Sequence, residues 1–158
     1  MGSRRIGLAR FKALTGAKTV FARAYASTIP SVLTKWPAPS AITGAATLTI
    51  AQLLTGILTQ DPTTDRAWTL PTAALAVAGV ADVAIGDCID FAVINTGTAS
   101  EDEIITLAAG TGGTLVGSGA VLTANPVDNA FSSGSGLFRL RFTGVASGSE
   151  AFVCYRLA

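Results

Sequence analysis

Asp82, Asp87 and Asp90 fall close together, and Ser100-Glu101-Asp102-Glu103 follows shortly after. Carboxylates at this density invite two chemistries: cation binding through oxygen ligands, and hydrolysis by a paired acid and base. The three aspartates lack the oxygen-rich loop spacing that wraps a calcium ion. The Glu101–Glu103 run reads as a solvated turn. A paired-carboxylate hydrolase needs two acids facing one cleft, which spacing along the chain neither supplies nor denies. The chain has no histidine, so Ser-His-Asp and Cys-His mechanisms and His-ligated zinc are excluded.

The remaining reactive residues point the same way. Cys88 and Cys154 are the only cysteines. Each lies in a strand pattern with no second cysteine nearby, so two small buried side chains are expected, with a cross-strand disulfide as the alternative. Gly110–Gly119 contains five glycines, at 110, 112, 113, 117 and 119. It has no Gly-x-Gly-x-x-Gly and no Gly-Lys-Ser/Thr, so tight turns with positive φ are expected rather than a phosphate cradle. Trp68 with loop acids could bind a sugar, but a single aromatic in a strand is expected in the core. Arg139 and Arg141, two apart on one strand face, suit ion pairs with carboxylates such as Glu150. The expectation is a protein that is not an enzyme, with no cofactor and no catalytic, cofactor-binding or metal-ligating residue.

The elements that position these residues centre on Ile85–Thr96. Ile89, Phe91 and Val93 share one face, as the two-residue period of a strand requires. Cys88, Asp90, Ala92 and Ile94 share the other, which starts polar and ends apolar. Ala46–Ile50, Ala67–Leu70, Ile104–Ala108, Ala120–Thr123, Leu137–Thr143 and Ala151–Leu157 read as further strands. Phe138, Leu140 and Phe142 are expected inward, with Arg139 and Arg141 outward. Ala51–Leu58 suits a short helical turn, and Gln60–Asp65 a polar loop. Pro71 suits the first position of a helix over Thr72–Val80, packed as a lid on an open end. Asn125-Pro126 with Asp128-Asn129 suits a turn and Ser132–Gly136 a loop. Seven to eight short strands at regular spacing predict an all-β, jelly-roll-like β-sandwich with one or two short helices and an extended N-terminal arm. The expected division is a basic arm over 1–36, a Pro-containing linker over 37–44 and the β-sandwich domain over 45–158.

Charge separates the arm from the rest. Residues 1–36 hold Arg4, Arg5, Arg10, Lys12, Lys18, Arg23 and Lys35 and no acid, so the arm is +7; the remainder holds four arginines and all ten acids, so it is −6. Such an arm is expected to become ordered on a partner. Arg4, Arg5, Ile6, Leu8, Arg10, Phe11, Lys12, Leu14, Lys18, Val20, Phe21, Arg23, Tyr25 and Trp36 are its candidate contact residues. Its Arg-rich, acid-free composition is also that of a mitochondrial presequence. Without an accompanying nucleic-acid motif, protein is the expected partner. Charged residues make up 13% of the chain, about half the usual ~25%. That leaves small and apolar residues to cover the outside, so self-association, as a homotrimer, is expected. No run of about 18 apolar residues free of charge or breakers occurs, so no membrane span is expected.

The body resembles a known group through an ordered set of segments: Ala46-Thr-Leu-Thr-Ile-Ala-Gln-Leu-Leu-Thr-Gly-Ile-Leu, Thr69-Leu-Pro-Thr-Ala-Ala, Val93-Ile-Asn-Thr-Gly, Leu107-Ala-Ala-Gly-Thr-Gly-Gly-Thr-Leu-Val-Gly, Phe138-Arg-Leu-Arg-Phe-Thr-Gly-Val and Gly148-Ser-Glu-Ala-Phe-Val-Cys-Tyr-Arg. Over residues 45–157 these are similar to small β-domains of virion surface proteins in tailed bacteriophages and related viruses. The resemblance implies a capsid decoration (cement) protein, a head fibre or a spike domain, trimeric and without catalytic residues. The expectation is a decoration subunit on the capsid surface of a virion, bound to the major capsid protein or another shell protein. The alternative is a head- or tail-fibre domain that binds a host receptor or glycan. Neither a membrane nor nucleic acid is an expected partner.

Overall fold

The computed structural model describes residues 36–97, 103–123 and 134–158. Trp36–Ala158 forms one compact unit. Its elements, in order, are β1 (Ser40–Ala41), β2 (Ala46–Thr47), α1 (Ile50–Leu53), β3 (Ile57–Gln60), β4 (Arg66–Thr69), α2 (Ala73–Ala78), β5 (Cys88–Asn95), β6 (Ile104–Ala108), β7 (Gly113–Val116), β8 (Ala120–Leu122), β9 (Ser135–Gly144) and β10 (Ala151–Arg156). They build a six-stranded sheet, β1-β3-β5-β9-β10-β7, and a four-stranded sheet, β2-β4-β6-β8.

The jelly-roll expectation is overturned. A jelly roll pairs its strands antiparallel as two Greek keys. Here β1, β3 and β5 run parallel in one sheet, while β2, β4 and β6 run parallel in the other. The chain therefore steps from sheet to sheet at each strand and winds forward, coil upon coil, before closing with an antiparallel half. In that half β9 lies between β5 and β10, antiparallel to both, β8 is antiparallel to β6, and β7 runs parallel to β10 at the edge. The architecture is a mixed two-sheet fold with two short helices. Alternating apolar residues mark a strand with one buried face whichever direction its neighbour runs. Pairing direction depends on which sheet receives the next strand, and that is a tertiary choice.

Both helices sit at crossings between sheets. Thr49 caps α1 with a reciprocal box: its hydroxyl accepts from Gln52 N at 3.3 Å, and its own N–H donates to Gln52 Oε1 at 2.8 Å. Ile50, expected to end a strand, opens this helix instead. Thr72 caps α2 by accepting from Leu75 N at 3.3 Å, so Pro71 stands one residue before the cap rather than in the first turn. Ala73 and Ala76 place α2 against the core.

Trp68, Phe91, Phe138, Phe142 and Phe152 fill the space between the sheets with Leu48, Leu53, Leu58, Leu70, Leu107 and Leu140. Each such side chain contributes roughly 1.5–3 kcal/mol when fully buried. Phe91 and Phe138 stack with centroids 5.6 Å apart. The Trp68 indole donates to Gln60 Oε1 at 2.8 Å and to the Gly44 carbonyl at 3.2 Å. Gln60, expected to begin a loop, is thus a buried strand residue. Asn95 is likewise buried and donates to the carbonyls of Glu103 and Val121 at 2.9 and 3.3 Å. These bonds offset the desolvation of two side-chain amides.

The glycine-rich stretch has two explanations where one was expected. Gly112 and Gly117 do adopt positive φ, at +79° and +93°. Gly113 is in β7, where an added Cβ would enter the Phe152 ring. Ser40 and Ala41, expected in the linker, form an edge strand paired with Leu58 and Thr59. Ser100, Glu101 and Asp102 of the acidic run and the expected turn at 125–129 lie outside the described residues.

Candidate functional site

The six-stranded sheet buries one face against the second sheet. Its other face has no layer upon it among the described residues. Strand alternation assigns its residues. Cys88, Asp90, Ala92 and Ile94 come from β5, Leu137, Arg139 and Arg141 from β9, Val153 and Tyr155 from β10, Ile57 from β3, and Val116 from β7. The register then sets them in rows. Ile57, Ala92 and Leu137 stand side by side, as do Asp90, Arg139, Tyr155 and Val116, and then Cys88, Arg141 and Val153. Ile57, Val116 and Leu137 are exposed, as is Leu157 just beyond β10.

The same face carries Thr59, Thr114 and Ser135, and one ion pair crosses it. Arg139 Nε donates to Asp90 Oδ1 and Arg139 Nη2 to Asp90 Oδ2, both at 2.7 Å, in a bidentate fork. The hydrogen bonds from Arg139 hold the Asp90 carboxyl below its ordinary range, and the guanidinium in turn keeps its proton more tightly. The expected partner, Glu150, instead accepts from the Gly148 N–H at 2.9 Å. Arg141 makes no ion pair among the described residues.

At one end of the face, Trp36, Leu53, Leu54, Cys88, Ile89 and Asp90 line a shallow groove of about 320 Å³. Trp36 is 64% exposed, and its ring lies against Gly56, where a Cβ would come within 3.1 Å. The two cysteines divide, in part against expectation. Cys154 is buried, and burial pushes its thiol up to about 12, whereas Cys88 is exposed on the outer face. Both are free thiols.

Of the candidate arm residues, only Trp36 is described. Arg4, Arg5, Ile6, Leu8, Arg10, Phe11, Lys12, Leu14, Lys18, Val20, Phe21, Arg23 and Tyr25 lie outside the described residues. Trp68 is fully buried, as expected of a core aromatic. Among the described residues no group of three or more His, Cys, Asp or Glu side chains could hold a metal ion, and no helix is long and apolar enough to cross a membrane.

Sequence reasoning missed the apolar outer face. Its signal was in β10, where Val153 and Tyr155 alternate with Phe152 and Cys154 and leave no polar side to the strand. An arrangement of this kind, with aliphatics and a tyrosine around a bidentate arginine, suits protein contact. No protein-family model, curated protein or solved structure matches the chain.

Proposed function

We propose that this chain is a non-enzymatic structural protein of a virion, a capsid decoration or cement subunit. Its basic N-terminal arm anchors it to the major capsid protein or another shell protein, and its body projects from the capsid surface as part of a homotrimer. The observation that carries this reading is the division of charge: +7 over residues 1–36 without one acid, against −6 over the remainder. The ordered resemblance of residues 45–157 to virion surface domains supports the same reading.

The cations draw the arm to acidic patches on a shell. At physiological ionic strength, screening over about 8 Å confines that attraction to docking. Lasting attachment comes from Ile6, Leu8, Phe11, Leu14, Val20, Phe21, Tyr25 and Trp36, at roughly 1.5–3 kcal/mol for each that is fully buried. Ordering the arm costs about 1–2 kcal/mol per residue in backbone entropy, so several must be buried together.

The test is co-sedimentation with purified heads of the phage that encodes the chain. The full chain pellets with heads, and a chain beginning at Pro37 stays in the supernatant. Replacing Phe11 and Phe21 by Ala weakens pelleting more than replacing Arg4 and Arg5. Full occupancy by the shortened chain would place the anchor in the body and end the arm's role.

A further inference from the structure

We infer that Trp36 is a strap residue: its indole, seated on Gly56, pins the point where the basic arm joins the body. The inference deepens the proposed anchoring, on which its use in a virion rests, by naming the contact through which an anchored arm holds the body. Three observations carry it.

The first is the seat. Gly56 leads from α1 into β3 at a φ of +78°, a conformation that strains any residue with a Cβ. Its backbone is held on both sides. The N–H donates to the Leu53 carbonyl at 3.0 Å, and the carbonyl accepts from the Ala92 N–H at 2.9 Å. A Cβ at this position would come within 3.1 and 3.2 Å of two atoms of the Trp36 ring. Glycine is therefore needed twice, for the turn and for the ring that lies on it. Leu53, Leu54 and Ile89 line the groove beside the indole.

The second is the other end of the strap. Ser40 and Ala41 pair with Leu58 and Thr59, and the Ile42 N–H donates to the Thr59 carbonyl at 2.9 Å. Both ends thus rest on residues 56–59. Only Pro37, Ala38 and Pro39 lie between Trp36 and β1. Each proline holds φ near −65°, so the segment has little backbone freedom to lose when the indole is seated.

The third is position. Trp36 is both the last residue of the +7 arm and the first of the compact unit Trp36–Ala158. An arm held on a shell then carries the body through a seated side chain rather than through a free tether. Without the seat the same load would fall on β1, an edge strand of two residues.

The experiment reads the two tryptophans of the full chain. Trp68 is fully buried and Trp36 is not, so acrylamide quenches the emission of Trp36, and its loss in Trp36→Phe identifies it. Asparagine tolerates the left-handed region, so Gly56→Asn keeps the turn while its side chain takes the place of the indole. Gly148→Asn is the control, at a φ of +81° with nothing within 4 Å of an added Cβ. Gly56→Asn should shift the quenchable emission to the red and raise its quenching constant, and Gly148→Asn should change neither. Hydrogen exchange gives a second reading and decides alone should Gly56→Asn fail to fold. Trp36→Ala should speed exchange of the Ile42 N–H about tenfold and leave that of Ala92 unchanged. Wild-type quenching in a folded Gly56→Asn chain, or an Ile42 amide indifferent to Trp36→Ala, would overturn the inference. No readout uses heads: a chain that fails to pellet ends the anchor and leaves the seat, whereas an unseated Trp36 in a chain that pellets ends the seat and leaves the anchor.

Discussion

The two sheets share one core but turn different surfaces outward. The four-stranded sheet sets Thr47 beside Thr69 and Ala108, and Ala67 beside Thr106 and Ala120. Beside these small residues the same face pairs Ile104 with Leu122, which is 44% exposed, so it too has an apolar end. The six-stranded sheet sets Ile57, Leu137, Val116, Val153 and Tyr155 outward around the Asp90–Arg139 fork. Fold stability needs only the inner faces, and both sheets supply those with comparable side chains. The outer residues are thus left to set solubility and contact, and they differ.

The largest expected effects test whether the inner faces form one core. Phe138 supports the six-stranded sheet and Leu107 the four-stranded sheet, and both are buried. Phe138→Ala should cost about 3–5 kcal/mol and Leu107→Ala about 2–5 kcal/mol. Each should lower the midpoint of a single urea transition followed by tryptophan fluorescence. Two separate transitions in either variant would break the comparison, since the sheets would then be stabilised independently.

A smaller effect separates the two sides of the six-stranded sheet itself. Cys154 faces inward with its thiol pushed up to about 12 from 9.0 by burial, whereas Cys88 faces outward. A raised folded-state value means stability is complete below 9.0 and is lost as pH rises from there toward about 12. The slope is at most about 1.4 kcal/mol per pH unit. Urea midpoints between pH 8 and 11 should show it, and Cys154→Ala should flatten it while Cys88→Ala does not. Under native conditions a thiol reagent should modify Cys88 before Cys154.

The smallest effect concerns the ion pair. The hydrogen bonds from Arg139 lower Asp90 below 3.8. Its contribution is therefore present above that value and lost as pH falls below it. Both side chains are nearly half exposed, so solvent screens the pair. Asp90→Asn should move the thermal midpoint little at pH 7, and less as pH falls below 3.8. A large loss at pH 7 would show that the fork organises the face rather than decorating it.

Strand identity was legible in β5, β6, β9 and β10, where burial of one face leaves a two-residue period, whereas β1 was expected in the linker, β3 in a helical turn and loop, and β7 among glycine turns. Ile89, Phe91 and Val93, then Phe138, Leu140 and Phe142, are buried as that period requires, with Arg139 and Arg141 outward. Ile104–Ala108 has the bounds expected of it. The burial of Gln60 and Asn95 was not legible, because a polar side chain at a strand end reads as a turn until its partners, Trp68 and the Val121 carbonyl, are brought to it. The pairing of Arg139 with Asp90 instead of Glu150 was hidden for the same reason: the two residues are 49 apart and meet only through the β5–β9 register.

By itself the sequence determined which apolar face of β5 and β9 must leave water, the +7 arm and −6 remainder, and the absence of histidine chemistry. Those are properties of residue types and local spacing. Tertiary structure alone decided that the strands wind in parallel between two sheets, that Cys88 stays outside while Cys154 goes in, and that Ile57, Leu137, Val153 and Tyr155 meet on one outer face. Each depends on which strand becomes whose neighbour. Hydrophobic periodicity fixes the face a residue takes and carries no information about the strand beside it.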